Sequence, residues 1–251
     1  MTRRVLLPCL VALLPLPASA AGTAGPTIHS VAGGIPEGVS PTTVSVKPVG
    51  VDFDRQGNLY VADPGQGVVW RIDRENRIHH VAGTGRACYP DPSRCRAEGG
   101  SAKEAFLQAP AGLAVSPDGS TVYVSEQRGH IVRAIDLANG KIRTVAGTGE
   151  RGYSGAHEGA PAAQATLYLP QSLDVDSRGR LYIADIGNKR IRRVETDGTI
   201  RTVAGCGSQV WPSCFYHARD GSPVEGTPIG ANAGINGNGW GIAISPSDEL
   251  Y

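Results

Sequence analysis

Six histidines, four cysteines beyond the first twenty residues and a few recurring carboxylates are the side chains of this 251-residue chain that could do chemistry. Imidazoles converging from several elements would hold zinc and activate water. His29 and His79 share a repeated position, His80 lies beside the second, His130 opens a strand, and His157 and His217 fall in long connections. No corresponding trio results. Asp52 and Asp174 occupy matching places in two short apolar segments, where the other two copies carry Ala114 and Ala243. Two carboxylates are too few for a hard cation without carbonyl or water ligands, and pairing with a neighbouring element accounts for them. Asp63 and Asp185 end strands of one pattern, where an Asp accepts backbone N–H groups and shapes the turn; with Asn188 they are read as turn residues. Arg190, Arg192 and Arg193 are read as packing or solvated strand residues rather than an anion site. The run Gly147-Thr148-Gly149-Glu150-Arg151-Gly152 copies the letters of a dinucleotide fingerprint but opens no helix, so it is set aside. No cofactor is expected, calcium and zinc being the metals these residues leave open.

The elements that must position these groups come from a pattern written several times. Leu59-Tyr60-Val61-Ala62-Asp63 returns as Val122-Tyr123-Val124-Ser125-Glu126, again as Leu181-Tyr182-Ile183-Ala184-Asp185, and begins once more at Leu250-Tyr251. Val-Ala-Gly recurs at Val31, Val81, Val145 and Val203. Around each tyrosine the order is constant. An alternating apolar strand comes first, with Val51/Phe53, Leu113/Val115, Leu173/Val175 and Ile242/Ile244. A turn with Gly57, Gly119 or Gly179 follows, then the tyrosine strand, a third strand and a fourth ending in Val-Ala-Gly. Four short antiparallel strands cannot bury both faces alone, so such units must stack radially as blades. The expected fold is all-β, a β-propeller of four-stranded blades. Whole repeats fall at about 48–83, 110–147 and 170–205, with a partial one at 238–251 and a lone fourth strand at Ile28–Gly33. Three full blades with partial strands at both ends suggest a fragment of a longer product; a naturally open array would leave bare sheet edges.

At these residues the chain resembles the NHL-repeat family. The third repeat carries the pattern most fully, with Asp185, Asn188, Arg190 and Ile191; the first departs at Gln66 and Val68, the second at Glu126, Gly129 and Ile131. The insert from Ala146 through Gly155, followed by Pro161, Ala165, Leu167 and Pro170, is similar to the teneurin type of NHL propeller. The resemblance implies the fold and leaves function open, because such propellers host enzymes and binding modules alike. Peptidyl-amidoglycolate lyase resembles the family and uses zinc held by histidines from several blades. That makes a metal-assisted lyase or lactone hydrolase, with part of its site outside this chain, the alternative to a binding module.

Composition fits an exported propeller. Arg3 and Arg4, the apolar run Val5–Leu16 and Ala18-Ser19-Ala20 read as a signal peptide over residues 1–20, leaving 21–251 as the propeller. Cleavage removes Arg3, Arg4 and Cys9, so 22 basic residues face 23 acidic ones. A near-neutral chain with no basic run is not a nucleic-acid binder, and no transmembrane segment is expected once the signal is gone. The location expected is secreted, periplasmic or cell-surface. The remaining Cys88, Cys95, Cys206 and Cys214 are even in number, which favours disulfides, most simply Cys88–Cys95 and Cys206–Cys214. Zinc ligation is the other use open to them. Strand alternation sends the long inserts, 84–109, 148–169 and 206–238, to one face. On that face Tyr153, His157, Glu158 and Trp211 are the candidate contacts for a protein, peptide or glycan. Metal analysis of the purified full-length protein is expected to find no stoichiometric tightly held zinc or calcium. Either ion would overturn the purely adhesive reading.

Overall fold

The computed structural model describes residues 37–86, 97–205 and 241–251. Twelve strands lie among them. They form three sheets, each a four-stranded antiparallel meander in chain order. The first holds β1 (Gly50–Phe53), β2 (Leu59–Asp63), β3 (Val68–Ile72) and β4 (Ile78–Ala82). The second holds β5 (Pro110–Val115), β6 (Thr121–Glu126), β7 (Ile131–Asp136) and β8 (Lys141–Ala146). The third holds β9 (Pro170–Val175), β10 (Leu181–Asp185), β11 (Arg190–Val194) and β12 (Ile200–Gly205). These are the blades of a β-propeller. The expected signal peptide, the strand Ile28–Gly33, the four cysteines, His29, His217 and Trp211 lie outside the described residues.

Register shows that the repeats are structural as well as textual. Tyr60 stands opposite Asp52 and Arg71, Tyr123 opposite Ala114 and Ala134, and Tyr182 opposite Asp174 and Arg193. The outer strand of each blade breaks register at one equivalent place, beside Val69/Trp70, Val132/Arg133 and Ile191/Arg192. Residues 241–251 start the same hairpin again. Ala243 and Tyr251 exchange both backbone hydrogen bonds, at 3.0 and 2.8 Å. Ile242, Ile244 and Leu250 pack on Tyr182, Ala184, Ile191 and Ala204 of the third blade.

Neighbouring blades meet first strand to first strand, β1 against β5 and β5 against β9. The approach is so close that a Cβ on Gly112 would stand 1.9 Å from the carbonyl oxygen of Gln171. Asp52 ties the β1–β5 seam, and Asp174 ties the third blade to the hairpin of residues 241–251. Asp52 accepts the Val115 N–H at 2.7 Å and Asp174 the Ile244 N–H at 2.6 Å, each across to the following blade. Burial pushes both carboxyls above their usual range despite these bonds.

The inserts are only partly surface. After leaving one blade, the chain runs along the outer edge of the next as a short fifth strand. Gly99 and Gly100 bracket Ile142, and Gly159 and Ala160 bracket Ile200, with N···O distances of 2.8–3.0 Å. Gly38 and Val39 do the same for Ile78. Every outer strand thus finds partners for backbone groups that would otherwise lie bare. The chain then dives between blades. Ala102, Ala105 and Leu107 seal one seam and Ala162, Ala165 and Leu167 the next, none more than 4% exposed. Small side chains let backbones touch here: Gly83 and Thr84 donate to the Ala102 and Ala105 carbonyls, and Gly147 and Thr148 to those of Ala162 and Ala165, all at 2.9 Å.

Gly112→Ala is expected to cost roughly 3 kcal/mol or more in urea denaturation, the scale of severe overpacking. Gly140→Ala, at φ +67° with no atom within 4 Å of its Cβ, should cost only the left-handed strain, about 1 kcal/mol. Equal losses in the two variants would refute the close approach of first strands.

Candidate functional site

The long-insert face gathers its charge in one repeated arrangement. Each tyrosine strand ends in a buried acid: Asp63, Glu126 or Asp185, none more than 1% exposed. Each acid reaches up to the insert that enters its own blade. Lys47 N–H donates to Asp63 at 3.1 Å, Gln108 N–H to Glu126 at 2.8 Å and Tyr168 N–H to Asp185 at 2.7 Å. A second acid comes from the insert itself, just before the glycine of the fifth strand. Glu37, Glu98 and Glu158 accept the N–H of His80, Thr144 and Thr202 at 2.8, 2.8 and 2.7 Å, where the outer strand bulges. Each of these donors lies two residues after an isoleucine whose N–H already faces the outer edge, so it too points away from the sheet, and the glutamate takes it.

In the second and third blades a buried arginine joins the two acids. Arg133 lies 3.4 Å from both Glu126 and Glu98. Arg192 lies 3.0 Å from Glu158 and 3.9 Å from Asp185. Both guanidiniums are fully buried, which is tolerable only because each has counter-charge beside it. The first blade has Trp70 at this place, stacked obliquely on His80 at 5.8 Å. Its Glu37 turns instead toward His79 at 3.5 Å and Lys103 at 3.8 Å. Burial pushes Glu126 above the usual carboxylate range, with Arg133 opposing. It carries Asp185 to about 6, against hydrogen bonds from Asn188 and Tyr168 and the charges of Arg192 and Arg190. Glu158 is half exposed. Burial is the largest single influence and pushes its carboxyl up, but the two Thr202 bonds and the Arg192 charge together hold it below the usual value.

Two candidate contacts of insert 148–169, which enters the third blade, meet this cluster. Tyr153 lies flat on the Arg190 guanidinium, 3.4 Å from ring centroid to the carbon centre, with Arg192 at 5.3 Å. Arg190 donates to the Asn188 carbonyl at 2.8 Å. The Asn188 amide bridges Asp185 and the Gly152 carbonyl, both at 2.7 Å. His157 accepts the Thr166 N–H through Nδ1 at 3.3 Å. Tyr153 and Glu158 are therefore brought together on the arginines, His157 is engaged within the insert, and Trp211 lies outside the described residues. Asp63 bonds Gln66 as well as Lys47. The other described histidines are each engaged: His79 with Asp73 at 2.7 Å, His80 with the Gly83 carbonyl at 2.6 Å and His130 with the Leu169 N–H at 3.2 Å. Among the described residues no three His, Cys, Asp or Glu side chains stand where they could hold one metal ion.

Glu37, Glu98 and Arg133 were not singled out from the sequence. A signal for the first two exists: Glu-Gly recurs at 37, 98 and 158 in step with the tyrosines. It lies inside segments that read as loops.

Repeated four-stranded blades of this kind define a β-propeller. The Teneurin NHL domain family matches residues 49–155. Mouse teneurin-1 is 26% identical over 215 residues, which cover 81% of this chain and 7% of that protein. Zebrafish teneurin-3 is 28% identical over 210 residues, covering 81% and 8%. Chicken NHL repeat-containing protein 2 is 29% identical over 147 residues, covering 57% and 19%. The chain spans less than a tenth of the length of the teneurins it matches. Virginiamycin B lyase from Staphylococcus aureus, a solved structure, is 15% identical with a TM-score of 0.39, covering 62% of this chain and 40% of that one; so slight a likeness does not bear on function. The chain is a β-propeller that is similar to the Teneurin NHL domain over residues 49–155.

The Asp185 carboxyl is expected to titrate near pH 6 in carbon-detected NMR. A folded value above the ordinary 3.8 means that the folded state binds the extra proton. This group's contribution therefore stabilises the protein as pH falls through about 6 and is lost as pH rises. Titration below pH 4 would show that the arginines outweigh burial.

Proposed function

We propose that this propeller is an exported, non-catalytic binding or scaffold module that holds a protein, peptide or glycan on its long-insert face. The observation that carries the reading is the floor under Tyr153. An aromatic ring rests on the Arg190 guanidinium, and Arg190, Asn188 and Asp185 are linked by hydrogen bonds or charge to the blade below. A ring fixed in this way offers contact area with little ordering cost on binding. The carboxylates around it are each engaged by a backbone N–H, an amide or a guanidinium, an arrangement suited to holding a surface in place. Similarity to the teneurin NHL domain supports the module reading at the level of fold. The signal-like residues 1–20 support export to the periplasm, the cell surface or the medium. Among the described residues no helix is long and apolar enough to cross a membrane.

The test is a screen of the full-length protein against arrays of extracellular proteins, peptides and glycans, repeated with Tyr153→Ala and Trp211→Ala. A ligand of the insert face should bind Tyr153→Ala roughly tenfold more weakly or worse, the usual loss for a central aromatic anchor, with an unchanged melting temperature. Equal binding by both variants, or chemical conversion of the ligand by the wild type, would overturn the reading.

A further inference from the structure

Insert 148–169, the one that enters the third blade, is held at its end by side chains that the described residues of insert 84–109 do not carry. Its segment Thr166-Leu167-Tyr168-Leu169 enters the seam between the second and third blades. Three of its backbone N–H groups are taken by titratable side chains from three places. Thr166 donates to Nδ1 of His157 within the insert, Tyr168 to Asp185 of the third blade, and Leu169 to Nδ1 of His130 in the second blade. The preceding insert has the same geometry at Gln108, which donates to Glu126. Where insert 148–169 meets His130 and His157, however, that seam carries Gly67 and Ala97.

An imidazole nitrogen that accepts a backbone N–H must be bare, so both rings are neutral with the proton on Nε2. Protonation places N–H against N–H. Each hydrogen bond then becomes a repulsion, and a half-buried amide loses its acceptor. We propose that insert 148–169 is a pH-gated latch, closed when His130 and His157 are neutral and released when they are protonated. This rests on the reading that the insert carries the binding surface, since Tyr153 and Glu158 ride on it; release in acid would loosen the grip on the ligand.

The groups facing each member set the direction. His130 meets the edge of the Tyr168 ring at 5.6 Å and the Arg151 charge. Burial, followed by Arg151, lowers its pKa, so it stays a competent acceptor at neutral pH. Beside His157 in the chain is Glu158, whose carboxylate is already occupied by Thr202 and Arg192. Asp185 faces Asn188, Tyr168, Arg192 and Arg190, and takes a proton near pH 6. Burial favours that neutral form in the closed state, so this third hold is not lost in acid and release falls to the two imidazoles. Arg192 is left with Glu158 as its near counter-charge.

Amide hydrogen exchange on the full-length protein tests this, read at pH 7.5 and 5.5 and corrected for the intrinsic rate. Protection of 166–169 should fall roughly tenfold on acidification, the scale of one lost buried hydrogen bond. Segment 106–109 should keep its protection. His130→Gln with His157→Gln, whose amide oxygens can accept at any pH, should abolish the difference. Equal protection at both pH values, parallel loss in both segments, or an unchanged pH effect in the Gln variant would each overturn the latch. Nitrogen NMR of the wild-type imidazoles covers a variant that does not fold: protons on Nδ1 at neutral pH would also overturn it. Exchange needs no ligand, so failure here leaves the binding reading intact, and failure to find a ligand leaves the latch intact.

Discussion

A four-stranded blade cannot close its own outer edge, and much of this structure follows from that constraint. Ile78, Ile142 and Ile200 sit at equivalent points of the last strands, fully buried, with backbone groups that need partners. Segments arriving from the preceding connection supply them at Gly38–Val39, Gly99–Gly100 and Gly159–Ala160. Once a connection is committed to that edge, its continuation must cross the seam between blades. Only small side chains with one leucine fit there, which gives Ala102, Ala105 and Leu107 their counterparts Ala162, Ala165 and Leu167. The length of the inserts is thus partly a requirement of packing rather than of binding.

Charge is buried by the same device. The last strand of each blade turns one further N–H to its open edge, and a glutamate from the fifth strand meets it. In two blades that glutamate also neutralises an arginine whose other side faces the acid ending the tyrosine strand. Insert, outer strand and inner turn become one polar unit, in which removing any member would leave a buried charge uncompensated. The first blade avoids the problem by using Trp70, and its Glu37 is correspondingly more exposed, paired loosely with His79 and Lys103. The ground beneath Tyr153 is a consequence: Arg190 and Arg192 alternate on one face of β11, and the insert brings an aromatic ring down on them.

Much of this was open to reading before any coordinates. Tyr60, Tyr123 and Tyr182 mark the second strands, and the glycine of Val-Ala-Gly marks where the outer strand ends. Gly147 shows why that residue is needed: at φ +92° its missing Cβ would stand 2.3 Å from the His130 carbonyl. Arg192 was harder. In a strand flanked by Arg190 and Arg193 it reads as readily solvated as packed, and nothing local reveals that it is fully buried. Glu98 looked like one charged residue in a polar loop, because its Glu-Gly signal comes only once per repeat and lies where nothing local marks a strand.

The sequence by itself determined the order of the four strands in each described blade, since alternation and turn glycines act over a few residues and each repeat restates them. Tertiary structure decided which loop residues became walls and which stayed surface. Glu98 meets Thr144 and Glu158 meets Arg192 across 46 and 34 residues of chain. His130 and Leu169 meet across 39. Pairings at such separations are chosen by how blades stack against one another, a choice that no single repeat contains.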